Sequence, residues 1–275
     1  MHVHTISLLG LRPKNEDDLF YSLNLNSESS DKKRKANIIG IFDGHGGNLV
    51  SKYLKEHLPK YFYANEQSIF SSKNFSYIYK LYDRMEQKII KDVPQSKQMG
   101  STALVLQLEK GKSNVFYIQV INIGDCRAVL CNEYNIAVNL TKDHKPMHWE
   151  EKIRIESLGG VIIKETNDDP RIKGLSVSRA FGDLDATPYV THVPEIFNYK
   201  VNTDSKFVIL GCDGVWDVLS SQDAVDFVIT EMKALNTFKE NFHTHNQRNI
   251  AKKLGEYALK KGSGDNISLV IMFFT

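Results

Sequence analysis

Acidic residues beside glycine recur at the points where apolar, strand-like segments of this sequence begin or end. Asp43 follows NIIGIF, Asp125 follows VINIG, and Asp213 follows KFVILGC. Asp265 lies in GSGDN ahead of the last apolar segment, and Glu16 lies in NED ahead of another. Hard divalent cations such as Mg²⁺ and Mn²⁺ bind carboxylate and carbonyl oxygens, and glycine lets a backbone carbonyl approach a metal ion closely. One such acid predicts only a turn, but this many at strand ends predict a cluster that holds divalent cations.

The segments that must position these acids show two different periodicities. Short runs rich in Val, Ile, Phe and Tyr, bounded by Gly, Asn and Asp, predict strands. These runs are His2–Leu8, Leu19–Leu25, Asn37–Phe42, Thr102–Leu108, Val115–Ile123, Ala128–Cys131, Phe207–Cys212 and Ile267–Phe274. Amphipathic stripes predict helices over 49–61 and 78–89, and further helices are expected at Trp149–Leu158, Asp223–Leu235 and Asn249–Lys260. Because the strands come in consecutive groups, the pattern favours an α+β fold of antiparallel sheets covered by helices.

Composition and charge describe an ordinary globular chain of 275 residues, of which 41% are hydrophobic and 25% charged. The net charge of +2 argues against a general nucleic-acid or membrane-surface role. No apolar run is long enough to predict a membrane span, and the first residues do not resemble a signal peptide. Three cysteines outside any C-x-x-C pair indicate reduced thiols, so we expect an intracellular, cytoplasmic protein. The basic run within Ser27–Lys35 fits either a solvated loop or a nuclear localisation signal.

Eight short segments, spread over nearly the whole chain, resemble the protein phosphatase 2C family of metal-dependent Ser/Thr phosphatases and occur in that family's order. They are GLRPKNED at 10–17, FDGHGG at 42–47, GSTA at 100–103, NIGDCRAVL at 122–130, TKDHKP at 141–146, LSVSRAFGD at 175–183, GCDGVWDVLS at 211–220 and GSGDNISLV at 262–270. The resemblance implies a four-layer αββα sandwich of two antiparallel β-sheets flanked by helices. It also implies one catalytic domain over residues 1–275, with a variable flap at about 147–171. We expect this domain to act on phosphoprotein substrates and to be a monomer.

Five residues in these segments correspond to the family's ligands for two Mg²⁺ or Mn²⁺ ions. By this resemblance Asp43 bridges both ions, Asp213 and Asp265 bind the first, and Glu16 and the main-chain carbonyl of Gly44 bind the second. A hydroxide that bridges the two ions would attack the phosphorus atom, because two nearby cations lower the pKa of a shared water molecule. The implied activity is hydrolysis of phosphoserine and phosphothreonine in proteins.

The remaining implied roles concern a third ion and the substrate phosphate. Asp125 and Asp217 resemble the ligands of a weaker third ion, which Asp213 would share. Arg12 would hold the phosphate, since a guanidinium stays charged and grips two oxygens at once. His45 would act as the general acid that protonates the departing oxygen. We interpret the GSTA and SRAFGD segments as structural support beside the site.

Three other functions can be weighed against these residues. A tyrosine phosphatase needs Arg six residues after a Cys, and Asn132, Ala137 and Val218 stand at those positions. The segment DLDAT at 183–187 matches the letters of a haloacid-dehalogenase nucleophile motif, but it does not follow an apolar strand. A catalytically weak or inactive phosphatase-like scaffold is the serious alternative, although clustered acids would repel one another without a cation.

Overall fold

Strands and helices follow one another along the chain in groups, as the sequence pattern predicts. The computed structural model describes residues 1–23, 37–63, 75–111, 115–166, 168–202, 204–234 and 249–274. The strands in these ranges are β1 (His2–Leu8), β2 (Asp18–Ser22), β3 (Asn37–Phe42), β4 (Gly44–His45), β5 (Gly100–Ser101), β6 (Ala103–Lys110), β7 (Val115–Ile123), β8 (Arg127–Cys131), β9 (Ala137–Asn139), β10 (Phe181–Gly182), β11 (Glu195–Asn202), β12 (Phe207–Gly211) and β13 (Ile267–Phe273). The helices are α1 (Leu49–Tyr63), α2 (Ser76–Asp92), α3 (Trp149–Ser157), α4 (Asp213–Trp216), α5 (Ser221–Ala234) and α6 (Ile250–Lys260).

Most of these strands belong to two five-stranded antiparallel sheets that stack face to face. Sheet A has the order β1-β13-β12-β8-β9, and sheet B has the order β11-β7-β6-β3-β2. Successive residues of a strand point to opposite faces of its sheet. In β12, Val208 and Leu210 therefore pack between the sheets, whereas Phe207 and Ile209 pack under helices. The central strands are apolar on both faces because both faces are covered.

Helices cover the outer face of each sheet. A stripe on α1 and α2 that includes Leu54, Tyr82 and Ile89 packs on sheet B, while α5 and α6 pack on sheet A. Ser220 and Asp223 form a capping box at the start of α5, in which Ser220 Oγ donates to the Asp223 carboxylate over 2.6 Å and accepts the Asp223 N–H. The predicted four-layer αββα sandwich of an α+β chain is confirmed.

Three features of the sheets were not predicted from the sequence, and the first is β9, the three-residue edge strand of sheet A. Among the described residues, the edge strand β11 pairs with β7 alone, and its sequence, EIFNYKVN, mixes apolar with charged and amide side chains. A small third sheet, of order β10-β5-β4, consists of strands two residues long, which are too short to show any periodicity. The strand expected at Leu19–Leu25 is β2, which begins one residue earlier and ends at Ser22. Leu25, Leu235 and the basic run within 27–35 lie outside the described residues.

The predicted flap at 147–171 begins with α3 and continues as a segment of little regular structure. Ile155 on α3 packs with Ile172 in a small apolar cluster of its own. Glu151 on α3 accepts hydrogen bonds from Arg179 over 2.5 and 3.0 Å, which ties the flap to the segment that leads into β10. Along the described ranges, no helix is long and apolar enough to cross a membrane.

Candidate metal centre

Four aspartates at the ends of central strands converge on one cleft. Asp43 directly follows β3, Asp125 lies two residues after β7, and Asp213 lies two residues after β12 as the first residue of α4. Asp265 lies two residues before β13, and because β12 and β13 run antiparallel, the end of one strand lies beside the start of the other. The cleft has a volume of about 300 Å³. The predicted site residues that line it are Arg12, Glu16, Asp43, Gly44, His45, Asp125, Asp213 and Asp265.

Asp217 is the predicted site residue that does not line this cleft. It follows the last turn of α4 and is exposed, and its N–H donates to the carbonyl oxygen of Asp213 over 2.9 Å. Its neighbour in the predicted third site, Asp125, is buried with its carboxylate 2.6 Å from the ammonium of Lys145. Burial alone would lower the pKa of Lys145, but the charge of Asp125 outweighs that effect and raises it. A third ion would therefore share the Asp125 carboxylate with the ammonium group of Lys145.

The N-terminal loop approaches the acids closely because glycines leave room for it. Gly10 has a φ of +63°, and a Cβ there would lie 1.9 Å from the carbonyl oxygen of Asp265. A Cβ on Gly44 would lie 2.3 Å from the carbonyl oxygen of Glu16. Asn266 holds the loop from the other side, since its amide donates to two loop carbonyls and its Oδ1 accepts the Glu16 N–H over 2.9 Å.

Sequence reasoning missed Asn266. Its sequence signal is an amide directly after the acid in GSGDN. An amide side chain both donates and accepts hydrogen bonds, so it can join its own loop to the N-terminal loop. The GSTA segment supports the site as predicted. Thr102 accepts the Asp43 N–H at its hydroxyl over 3.1 Å and donates its own N–H to the Asp43 carbonyl over 2.9 Å.

Burial and mutual repulsion make the clustered carboxyls hard to ionise. Burial raises the pKa of Asp43 well above its ordinary range, and the charge of Asp213 raises it further. Burial also raises the pKa of Asp213, with the charges of Asp125 and Asp217 adding to the effect. Burial raises the pKa of Asp17 to about 6. A divalent cation would offset this repulsion, so the cluster has the electrostatics of a cation site.

The donor atoms fit a hard cation. Asp43, Cys212 and Asp213 place one ligand atom each within 4.8 Å of one another. Burial raises the pKa of the Cys212 thiol well above its usual range, so this side chain stays protonated and is a poor ligand. The remaining donors are oxygens, which suit Mg²⁺ or Mn²⁺ better than they suit Zn²⁺. The residues present are therefore compatible with the predicted ions.

The two predicted catalytic residues lie in the same cleft. Arg12 places Nη2 2.6 Å from the Asp265 carboxylate, and 55% of its side chain is exposed. His45 places Nε2 2.6 Å from the carboxylate of Asp183, a residue that sequence reasoning had assigned to structural support. Burial would lower the pKa of His45, but the hydrogen bond with Asp183 and the charge of that carboxylate outweigh burial and raise it. From the flap side, Arg171 lines the cleft as well.

A larger cavity of about 600 Å³ lies beside α3. Its charged residues pair with one another, since Arg127 contacts Asp143 over 2.6 Å and Lys142 contacts Glu150 over 2.9 Å. Charges that neutralise each other have less need of a ligand than the repelling acids of the smaller cleft. We therefore place the candidate site in the smaller cleft.

Comparison with known proteins finds related sequences and structures over most of the chain. A family model described as Protein phosphatase 2C matches residues 1–267. A PP2C-like domain-containing protein of Acanthamoeba polyphaga mimivirus is 48% identical over 172 residues, which are 58% of this chain and 94% of that protein. "Probable protein phosphatase 2C 44" of Oryza sativa subsp. japonica is 34% identical over 247 residues, 89% of this chain and 70% of its own length. The crystal structure of a phosphatase from a pathogenic strain of Toxoplasma gondii has a TM-score of 0.80 at 25% identity, with 98% of this chain and 92% of that chain covered.

Proposed function

Because the chain belongs to the protein phosphatase 2C family, and is thus a metal-dependent protein-serine/threonine phosphatase, we propose that its acidic cleft hydrolyses phosphoserine and phosphothreonine with two Mg²⁺ or Mn²⁺ ions. The observation that carries this proposal is the convergence of four predicted ligands, Glu16, Asp43, Asp213 and Asp265, in one cleft with Arg12. The number of ions and their identity are the proposed part. The raised pKa of Asp43 supports a bound cation, because that carboxyl ionises readily only beside one.

Each ligand keeps the role that its position in the family's motifs implies. Asp43 would bind both ions, Asp213 and Asp265 the first, and Glu16 and the Gly44 carbonyl the second. Such ions lower the pKa of a water molecule to near neutrality and offset negative charge on phosphate oxygens. The chain's own contribution is rigidity, since Thr102 and Asn266 hold the backbone on either side of the ligands.

Arg12 and His45 would handle the substrate. The ion pair with Asp265 holds the Arg12 guanidinium at the cleft, and its exposure leaves other N–H groups for two phosphate oxygens. His45 would donate a proton to the serine or threonine oxygen as the bond from phosphorus to that oxygen breaks. Without that proton the leaving group would be an alkoxide, which departs poorly.

The other expectations follow from the same premise. A third ion at Asp125 and Asp217 would bind weakly, because the Lys145 ammonium already lies against Asp125. A non-catalytic scaffold finds no support in the cleft, since the predicted ligands of the two main ions all line it. A single catalytic domain over 1–275, a monomer, no nucleic-acid partner and an intracellular location, cytoplasmic or also nuclear, stay predictions.

Phosphate release from a phosphoserine peptide tests the metal site. We expect full activity in millimolar Mn²⁺ or Mg²⁺ and none in EDTA. Asp213→Asn should lower the rate at limiting Mn²⁺ by more than the roughly 10–100-fold typical of losing a group that only supports a metal ligand. The matched control is Asp204→Asn, in the exposed turn before β12. Activity that survives EDTA contradicts the proposal, and full activity of Asp213→Asn contradicts the ligand assignment.

A further inference from the structure

His45 and Asp183 form a hydrogen-bonded pair in which one partner faces the cleft and the other is buried. His45 Nε2 lies 2.6 Å from Asp183 Oδ2, and the two side chains are 27% and 3% exposed. We propose that Asp183 is a positioning residue that orients the imidazole, so that Nδ1 is the nitrogen that delivers the proton to the leaving oxygen. The proposal rests on the proposed role of His45 as proton donor, and adds which nitrogen acts and what holds it.

The small third sheet builds this pair. In it β5 lies between β4 and β10, so that Gly100 pairs with His45 on one side and with Gly182 on the other. A Cβ on Gly100 would lie 2.1 Å from Asp183 Oδ2 and 2.7 Å from His45 Nε2. The hydrogen bond therefore passes over a position where only glycine fits.

The backbone after β10 is bent to bring the carboxylate back over this glycine. Gly182 and Asp183 both adopt left-handed conformations, with φ of +79° and +50°. This conformation is uncommon for a residue with a side chain and carries an energetic cost. The Asp183 N–H donates to the Met99 carbonyl over 3.2 Å, which fixes the bend to the strand that contains Gly100. Asp183 is thus held in place by a specific backbone arrangement and not by a flexible loop.

The pairing decides which ring nitrogen can serve the substrate. With Nε2–H donated to Asp183, Nδ1 is the remaining nitrogen, and none of the described residues hydrogen-bonds to it. When the bond between phosphorus and oxygen breaks, the electron pair stays on the departing oxygen and takes the proton from Nδ1–H of the imidazolium. The ring is left neutral with its Nε2–H still bound to Asp183, and solvent later returns a proton to Nδ1. Asp183 fixes the tautomer and the orientation of the ring through this hydrogen bond.

Two substrates with different leaving groups separate orientation of His45 from mere structural support. p-Nitrophenolate leaves without a proton, whereas a serine alkoxide needs one. In one Mn²⁺ buffer, Asp183→Ala should lower kcat for a phosphoserine peptide by about 10–100-fold, and kcat for p-nitrophenyl phosphate by less than about threefold. His45→Gln should show the same leaving-group dependence, and Asp183→Ala should cost nothing further in that background. The matched control is Asp185→Ala, an exposed acid two residues along the chain.

Melting temperature and Mn²⁺ affinity, measured on every variant, identify any that fail to fold or to bind the ion. Asp183→Asn is the second variant if Asp183→Ala does not fold, since an amide oxygen still accepts from Nε2–H and should recover part of the phosphopeptide rate. Equal losses with both substrates, or losses that add in the double variant, would overturn the proposal and leave Asp183 a structural residue. If His45→Gln itself shows no leaving-group dependence, the proton-donor role fails and this inference fails with it. The dependence of the reaction on metal ions would still stand in that case.

Discussion

Removal of the metal ions should invert the pH dependence of stability near neutral pH. Burial raises the pKa of Asp17 from 3.8 to about 6 in the folded chain, and the charge of Asp265 acts in the same direction. A carboxyl with a raised folded pKa costs stability above that pKa, and the cost is relieved as the pH falls through it toward the unfolded value. In EDTA the protein should therefore become more stable as the pH falls from 7.5 to 5.

The size of the effect follows from the two pKa values of Asp17. Their difference corresponds to a cost of about 3 kcal/mol in the free energy of unfolding at neutral pH. At pH 5, one unit below the folded pKa, about 1 kcal/mol of that cost is relieved. For a chain of this size the relief raises the melting temperature by about 2 °C. Asp43 and Asp213, whose pKa values burial also raises, add to the effect in the same direction.

The assay is thermal unfolding of the wild-type protein and Asp17→Asn in EDTA at pH 7.5, 6 and 5. The variant lacks the buried acid, so its melting temperature should rise less on acidification. Its stability should exceed that of the wild type at pH 7.5. Other groups, such as His144, whose pKa burial lowers, oppose the rise equally in both proteins, so the difference between the two slopes is the measurement. In millimolar Mn²⁺ the wild-type slope should reverse, because protons then compete with the ions. Identical slopes for the two proteins in EDTA would refute the reasoning.

Two further substitutions test how the structure supports the site. Glu151→Gln should lower the free energy of unfolding at pH 7 by about 3 kcal/mol, because ion pairs led by Arg179 overcome the effect of burial and lower the pKa of Glu151 to about 2. In urea unfolding, the difference in the free energy of unfolding between the two proteins should shrink as the pH falls from 4.5 toward 2. A difference that stays constant over this range would contradict this account. Gly10→Ala should weaken Mn²⁺ binding by at least about tenfold in calorimetry, since its Cβ would meet the Asp265 carbonyl at a strained φ. Gly264→Ala, where a Cβ meets nothing within 4 Å, is the control, and equal affinities of the two variants would contradict the prediction.

The acids that line the cleft were predictable because their signals are local. Asp43, Asp213 and Asp265 each adjoin an apolar run that had to be a buried strand, and several carboxylates at such positions together indicate a shared cleft. Strands such as His2–Leu8 and Asn37–Phe42 have the predicted bounds, since each run rich in β-branched side chains is followed within two residues by a glycine or an acid. Consecutive strands between amphipathic helices indicated antiparallel sheets covered by helices, and the resemblance to the family implied the four layers.

The tertiary structure alone decided which distant residues contact the side chains of the cleft. Asp183 meets His45 across 138 residues of chain, and only the register of three two-residue strands beside Gly100 brings them together. Lys145 reaches the buried Asp125 in the same unpredicted way. A helix or strand can be recognised from the spacing of apolar residues within one short segment. A contact between two distant segments leaves no such pattern in the sequence of either segment. The sequence therefore indicated the acids of the cleft and the sheets and helices that carry them, and packing determined the partners that orient and neutralise those acids.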